Sequence, residues 1–501
     1  MTTATANSAN VPCWTCRRQR LKCDRALPTC GKCTSSQRPC LGYSKDKPLR
    51  WTDSVASRGK LTGKKVPRHE AHLPVMRVLN DPGLQDLSPP MRGYIAYFEQ
   101  QCCREYVLYD FDPANPFRGF LRLIPSCPGL SHAVVSVAAL HQAFRIASAK
   151  SIEGTTACKS NLHPVEKSQS VEQVHQLSAY HAALYHKQRT LSFLRSEAYA
   201  GCFSNPDGVI ASMILSIWFE LMDSGRDTWR YHLRGLREVT LKHGLSLPAF
   251  SDTEMATDLP RMSNYFDTSY ATFEIIGSTF VKAKEPYRPL FSMSPTLDIL
   301  QRSESQTWTG CPAVLLYVLS LLNEAASRPH EIPPDSIVHI FSYLRNFSPI
   351  KWAISGAETH HMKARYQLAC IWQAAVEIYA HQILPIPLAS IFPSESKFSN
   401  KGRTSNLLDS TLHQLKSMDP ADVHLKGILW PVFVIGAEAQ TMSQRALIAD
   451  VFGHLWTLWR CHNVTNALKV LERIWARRDV EGSSRRWIEY VYEWGQDWMF
   501  I

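Results

Sequence analysis

The stretch PCWTCRRQRLKCDRALPTCGKCTSSQRPCLGY, Pro12 to Tyr43, holds six of the chain's 14 cysteines and decides how the rest is read. Cys13, Cys16, Cys23, Cys30, Cys33 and Cys40 follow the spacing C-x2-C-x6-C-x6-C-x2-C-x6-C, so the unit C-x2-C-x6-C occurs twice with an offset of 17 residues. Cysteine pairs two residues apart, repeated over so short a span, point to zinc thiolates rather than disulfides. Two separate tetrahedral sites need eight ligand positions, and six sulfurs fill them only if two thiolates each bridge both metals. The count predicts a binuclear cluster with two zinc ions per chain. A segment of this size buries too little apolar surface to fold alone, so metal binding is expected to provide most of its folding free energy.

Charge separates the two repeats. Two zinc ions and six thiolates sum to −2, and Arg17, Arg18, Arg20, Lys22, Arg25, Lys32 and Arg38 are at hand to offset it. RRQRLK (Arg17 to Lys22) follows the first cysteine pair, whereas TSSQRP (Thr34 to Pro39) follows the second. Neutralising the cluster does not require the bases to crowd into one half, so the first half is expected to contact nucleic acid. Residues 1–70 hold 15 Lys and Arg against 4 Asp and Glu, whereas residues 71–501 hold 40 of each, so the whole net charge of +11 sits in that first part. Such a distribution suits a polyanion-binding module attached to a neutral body.

The segment Pro12 to Tyr43 closely resembles the fungal binuclear zinc cluster transcription factors, down to the Cys23-Asp24 pair, Pro28, and Tyr43 after the last cysteine. The resemblance implies that Cys13 and Cys30 bridge the metals and that each repeat gives a short helix. It also implies that the first helix points its C-terminal end into the major groove over a CGG triplet. Where family members usually carry Arg then Lys, this chain has Gln19 then Arg20. Arg20 then takes the place of the base-reading lysine, and its planar fork suits the O6 and N7 acceptors of guanine. Backbone carbonyls near Gln19 and Arg20 can accept from cytosine N4, while Arg17, Arg18, Lys22 and Arg25 are assigned to phosphates, where they position without specifying.

Outward from this module the chain divides into a disordered N-terminus (1–12), the zinc cluster (13–43), a basic proline-rich linker (44–90) and a large all-α regulatory domain (91–501). The linker has no sustained apolar period and no a/d heptad run, so no zipper-type coiled coil is expected, and a dimer through the helical domain stays open. RGKLTGKKVPR (Arg58 to Arg68) is read as further phosphate contacts and a nuclear-import signal. It is no phosphate loop, because one residue too few separates its glycines and Lys65 stands where Ser or Thr should hold magnesium.

Beyond Pro90 apolar residues recur at helical spacing, over Ala133–Ala147, Val174–Leu194, Val209–Met222, Trp229–Leu241, Tyr366–Ile383 and Ile448–Trp459. The length exceeds the usual single core, so more than one local core is expected. AYHAALYHKQRTLSFLR from Ala179, WRYHLRGLREV from Trp229 and LWPVFVIGAEAQ from Leu429 resemble the fungal-specific transcription factor domain, which implies a helical regulatory unit. Trp229, His232, Leu233, Gly235, Trp430, Pro431, Gly436 and Glu438 carry this match and are read as packing and chain-geometry residues, with His232 a bonded polar tip. The other eight cysteines, among them Cys158 and Cys202, read as small buried hydrophobes.

Enzyme chemistry is not expected: His69-Glu70-Ala71-His72 lacks zinc-protease spacing, His360-His361 has no companion carboxylate at motif spacing, and no G-x-S-x-G occurs. No membrane span and no secretory leader are expected, which places the chain in a reducing compartment. The C-terminal stretch Trp487 to Ile501 mixes acids and aromatics as an activation segment can. The shared face of Trp487, Tyr490, Val491, Trp494 and Trp498 favours a packed terminal helix. The expectation as a whole is a nuclear, sequence-specific regulator of RNA polymerase II genes. It has double-stranded DNA and transcription machinery or coactivators as partners, and a metabolic or secondary-metabolite gene cluster as a family-level target. The alternative is a metabolite-binding protein or enzyme that the zinc module tethers to DNA.

Overall fold

The computed structural model describes residues 8–46, 82–110, 115–154, 174–201, 203, 205–243, 262–282, 293–328, 333–355, 361–384, 400–482 and 485–501. Cys158, Cys202, the basic run from Arg58 to Arg68 and most of the expected linker fall outside them. The chain forms two compact units, Met1–Leu79 and Asn80–Ile501.

Proline opens six helices of the larger unit: Pro89–Tyr97, Pro116–Leu123, Pro128–Gly154, Pro206–Asp223, Pro334–Asn346 and Pro349–Ser355. At the first helical position the missing N–H costs nothing and the fixed φ suits the helix. Side chains also cap starts, two of them among these six. Asn115 accepts from the amide of Phe117 at 3.0 Å, Asn205 from that of Gly208 at 2.9 Å, and Thr441 with Gln444 forms a capping box. The remaining long helices are Ser178–Ala200, Trp229–His243, Met262–Ser278, Ala313–Ser327, Met362–Ile383, Asn400–Ser417, Met442–Trp459 and His462–Glu481. All six periodic segments of the sequence lie in helices, although the second starts at Ser178 because Leu177 is extended. Among the described residues β structure is limited to two isolated bridges, Ser8 with Ala26 and Arg226 with Trp498. The turn Pro82–Leu84 and the helix from Pro89 lie within the span assigned to the linker, and Leu84 and Leu87 pack on the core.

The buried residues from Ile95 to Ile501 make one continuous core, not the several that length suggested. Two helices explain this. All but one of residues 208–222 are buried, and Leu429–Ala437 is buried throughout. A helix apolar on every side lies inside and joins what would otherwise be separate cores. Trp430 stacks on Trp372 with ring centres 5.3 Å apart, and both indole N–H groups are used, by Thr279 Oγ1 at 3.0 Å and the Gly427 carbonyl at 3.1 Å. Gly436 cannot carry a side chain here, since a Cβ would come 2.9 Å from Ile448 and Leu471. Glu438, its carboxyl raised by burial, accepts from Trp487 Nε1 at 2.9 Å and Gln382 Nε2 at 2.6 Å. His232 lies 3.3 Å from the buried Glu220, which also meets Lys187 at 2.8 Å.

The expected single C-terminal helix is two pieces. Trp487–Glu493 is helical, Gly495 adopts a left-handed φ of 65°, and the chain then runs extended beside residues 225–228. Met499 donates to the Gly225 carbonyl at 3.1 Å, and Asp227 donates to that of Asp497 at 2.9 Å. The turn buries Trp498, Met499, Phe500 and Ile501, with Phe500 4.5 Å from Phe433 between ring centres. Phe500→Ala is expected to lower unfolding free energy by about 3–5 kcal/mol in denaturant titrations.

Two histidines face each other where the helices Pro128–Gly154 and Ser178–Ala200 pack: His132 Nδ1 lies 2.7 Å from His186 Nδ1. Burial, then the neighbouring His132 and Arg189, pull His186 down to about 4, and burial likewise takes His462 to about 4. The unfolded chain binds these protons near pH 6.5 and the folded chain does not until about pH 4. Stability is therefore full above pH ~6.5 and falls as pH drops toward 4. In thermal melts across this window His186→Asn should flatten the loss, and an unchanged slope would separate it from this pair.

Candidate metal centre and nucleic-acid interface

The C-x2-C spacing is a helix-start spacing. Cys13 caps the helix Trp14–Gln19, its sulfur accepting from the Cys16 amide at 3.4 Å, and Cys30 caps Gly31–Ser35, accepting from the Cys33 amide at 3.3 Å. Each pair thus puts two sulfurs on one side of a helix N-terminus, where unpaired N–H groups favour negative charge. Both helices end alike. Leu21 donates to the Cys16 carbonyl at 2.9 Å and Arg20 to that of Arg17 at 3.3 Å, and Arg38 and Gln37 repeat this with Cys33 and Thr34, each at 3.0 Å. Arg20 and Gln37, 17 positions apart, are left-handed with φ of 55° and 49°. That conformation costs a non-glycine residue about 1–2 kcal/mol. The cluster beneath holds it in place.

The sulfurs fall into two tetrads, Cys13, Cys16, Cys23 and Cys30, and Cys13, Cys30, Cys33 and Cys40, each with all sulfurs within 4.8 Å of one another. Cys13 and Cys30 belong to both, and their sulfurs are 3.6 Å apart. Tetrahedral zinc with Zn–S of about 2.3 Å needs an S···S edge of about 3.8 Å. Separations of 3.7 Å for Cys13–Cys33 and Cys16–Cys30 fit it. Burial raises the thiols of Cys13 and Cys16 and takes that of Cys30 to about 12, so a shared ionised state needs a cation in their midst. The donor set suits two zinc ions.

Short contacts tie the loops to this centre. Asp24 accepts from the Gly31 amide at 2.9 Å at the start of the second helix, and a Cβ on Gly31 would meet that carboxylate at 2.6 Å. Thr15 donates to the Pro39 carbonyl at 2.8 Å and accepts from the Leu41 amide at 3.0 Å, while the Tyr43 hydroxyl donates to the Ala26 carbonyl. The pairing of Cys23 with Asp24 and the tyrosine after Cys40 therefore have structural reasons.

Arg17, Arg18, Gln19, Arg20, Lys22 and Arg25 are all exposed. The Arg17 guanidinium lies 4.2 Å above the Trp14 ring, and Trp14 donates to the Ser44 carbonyl at 2.7 Å. Gln19 accepts from Arg38, which joins the two repeats, and Arg25 reaches the Asn10 carbonyl at 3.5 Å. Arg20 and Lys22 are solvated at the end of the first helix. Residues 8–46 hold eight Lys and Arg against two Asp, so a cluster of charge −2 leaves the module positive. Sequence reasoning did not find the Trp14–Arg17 stack or the Arg38–Gln19 link, since neither follows from spacing.

The profile of the fungal-specific transcription factor domain matches residues 93–501, and that of the fungal Zn(2)-Cys(6) binuclear cluster domain matches residues 11–50. The chain belongs to the fungal-specific transcription factor domain family. Its Zn(2)-Cys(6) domain binds two zinc ions. Over 427 residues the chain is 25% identical to the acriflavine sensitivity control protein acr-2 of Neurospora crassa, which covers 80% of this chain and 65% of that protein. It is 30% identical over 112 residues to an uncharacterized transcriptional regulatory protein of Schizosaccharomyces pombe, 22% of this chain and 18% of the other. It is also 50% identical over 40 residues to arginine metabolism regulation protein II of Saccharomyces cerevisiae, 8% of this chain and 4% of the other. The chain thus spans just under two thirds of the first relative and far less of the other two.

Shared sulfurs make a distinctive prediction. Cys13→Ala or Cys30→Ala should leave the full-length protein with no bound zinc by elemental analysis, because each removes a ligand from both ions. A variant of either that kept both ions would contradict the bridged arrangement.

Proposed function

We propose that this protein is a nuclear, sequence-specific DNA-binding regulator of RNA polymerase II transcription. Its zinc module (13–43) takes double-stranded CGG-containing sites, and its helical domain (91–501) acts on transcription machinery or coactivators. The observation that carries this reading is an asymmetry. The two repeats share helix caps and left-handed ends, yet five of the module's exposed basic residues, Arg17, Arg18, Arg20, Lys22 and Arg25, belong to the first repeat. A cluster that only needed neutralising has no use for this one-sided face. The names of the relatives, a control protein, a transcriptional regulatory protein and a regulation protein, agree.

In this reading Cys13, Cys16, Cys23, Cys30, Cys33 and Cys40 hold the two zinc ions. Arg20, lifted off the helix axis by its left-handed backbone, reads guanine in the major groove. Gln19, its side chain engaged by Arg38, contributes backbone carbonyls, and Arg17, braced on Trp14, joins Arg18, Lys22 and Arg25 on phosphates.

The rival is a metabolite-binding protein or enzyme tethered to DNA, and its enzyme form draws little support from Asp422, His424 and Tyr109. His424 Nδ1 lies 2.6 Å from Asp422 and Nε2 2.8 Å from the Tyr109 hydroxyl, an arrangement used in proton transfer. The His424 side chain is fully buried, however, and Arg365 donates to the same hydroxyl at 3.1 Å. The group ties three segments together. No helix among the described residues is long and apolar enough to cross a membrane.

Arg20→Ala should weaken binding to the selected site by about 1–3 kcal/mol with little effect on random duplex, whereas Arg17→Ala weakens both alike. Equal losses on both duplexes for both variants would remove Arg20 from base reading. Titrations at several salt concentrations should give a log-log slope near −4, as about four to five phosphate contacts require.

A further inference from the structure

A cleft of about 970 Å3 opens in the helical unit among the helices Trp229–His243, Met262–Ser278 and Ala313–Ser327 and the C-terminal segment. Its size is that of a metabolite site. Trp229 backs it, 2% exposed, with its ring against Gly277, where a Cβ would come within 2.7 Å. Leu233, Val281 and Ala326 give the cleft an apolar side.

The charges in its wall do not balance. Arg230, Arg234, Arg237 and Lys282 line it against Asp227, Glu274 and Asp497. Each carboxylate is already engaged: Asp497 by Arg230, Glu274 by Arg237 at 2.8 Å and the Tyr270 hydroxyl at 2.5 Å, and Asp227 by Arg226 at 3.3 Å and the Asp497 amide at 2.9 Å. Arg234 and Lys282, both exposed, have no carboxylate partner among the described residues. Two cations with no carboxylate partner among the described residues, at the edge of a mixed polar cleft with one apolar side, match a molecule with one anionic end and an apolar body.

We propose that this cleft is a binding site for a metabolite-sized organic acid. Arg234 and Lys282 take its carboxylate, and Leu233, Val281 and Ala326 its apolar body. Because Asp497 joins the wall to the buried C-terminus, a bound acid also braces the last residues of the chain against residues 225–230. None of this requires contact with DNA, so the test is independent of the regulatory reading.

The probes are indole-3-acetate, benzoate and succinate, with indole-3-acetamide as the uncharged counterpart, titrated calorimetrically into zinc-loaded full-length protein. Indole-3-acetate should bind one to one and succinate, with no ring, more weakly. The amide should bind about tenfold more weakly than the acid, and the double variant Arg234→Ala, Lys282→Ala should lose about tenfold for the acid. Both residues are exposed, so the variant should melt as the parent does. Should it not, the single changes Arg234→Gln and Lys282→Gln carry the same expectation in direction. Absence of saturable binding by all three acids at millimolar concentration would overturn the proposal. So would equal affinity for acid and amide, or unchanged affinity in well-folded variants.

Discussion

Sharing of two sulfurs between two tetrads is the constraint on which the N-terminal module depends. Cys13 and Cys30 each cap a helix and each belong to both groups of four. One feature thereby fixes the spacing of the metals, the relation of the helices and the direction in which the first helix ends. With little apolar surface of its own, the module has no other source of order on this scale. The left-handed ends at Arg20 and Gln37 are strained positions that such a rigid centre can hold, and at Arg20 the strain turns a cation outward.

The helical unit is built on the opposite principle. Its order comes from burial: a central helix enclosed from 208 to 222, a second enclosed from Leu429 to Ala437, and a C-terminus folded back to finish the core. Two glutamates are matched inside it, Glu220 by Lys187 and His232, and Glu438 by Trp487 and Gln382. The cleft beside Trp229 differs, because its Arg234 and Lys282 have no carboxylate partner among the described residues.

Much of the cluster was legible because its chemistry lies in spacing. Two residues between cysteines set N-cap and third position, and a repeat of 17 sets the pseudo-symmetry, so the need for two shared sulfurs follows from counting, while the choice of Cys13 and Cys30 came from the resemblance. The helices were legible for a similar reason, since the apolar period is a property of neighbouring residues. What stayed hidden depends on partners far apart in the chain. Arg38 reaches Gln19 across the two repeats, Trp229 rests on Gly277, and the tail turns at Gly495 to pair with residues 225–228 because the core has room there. The face shared by Trp487 and Trp498 was a true sign of burial and a false sign of one helix. Separate cores were expected from length alone, and two largely enclosed helices merge them.

The bridged centre is tested most directly by zinc K-edge X-ray absorption on the full-length protein. The account predicts a first shell of four sulfurs at about 2.3 Å around each ion, with a second zinc as a near scatterer. Nitrogen or oxygen in the first shell, or isolated ions with no metal neighbour, would contradict it.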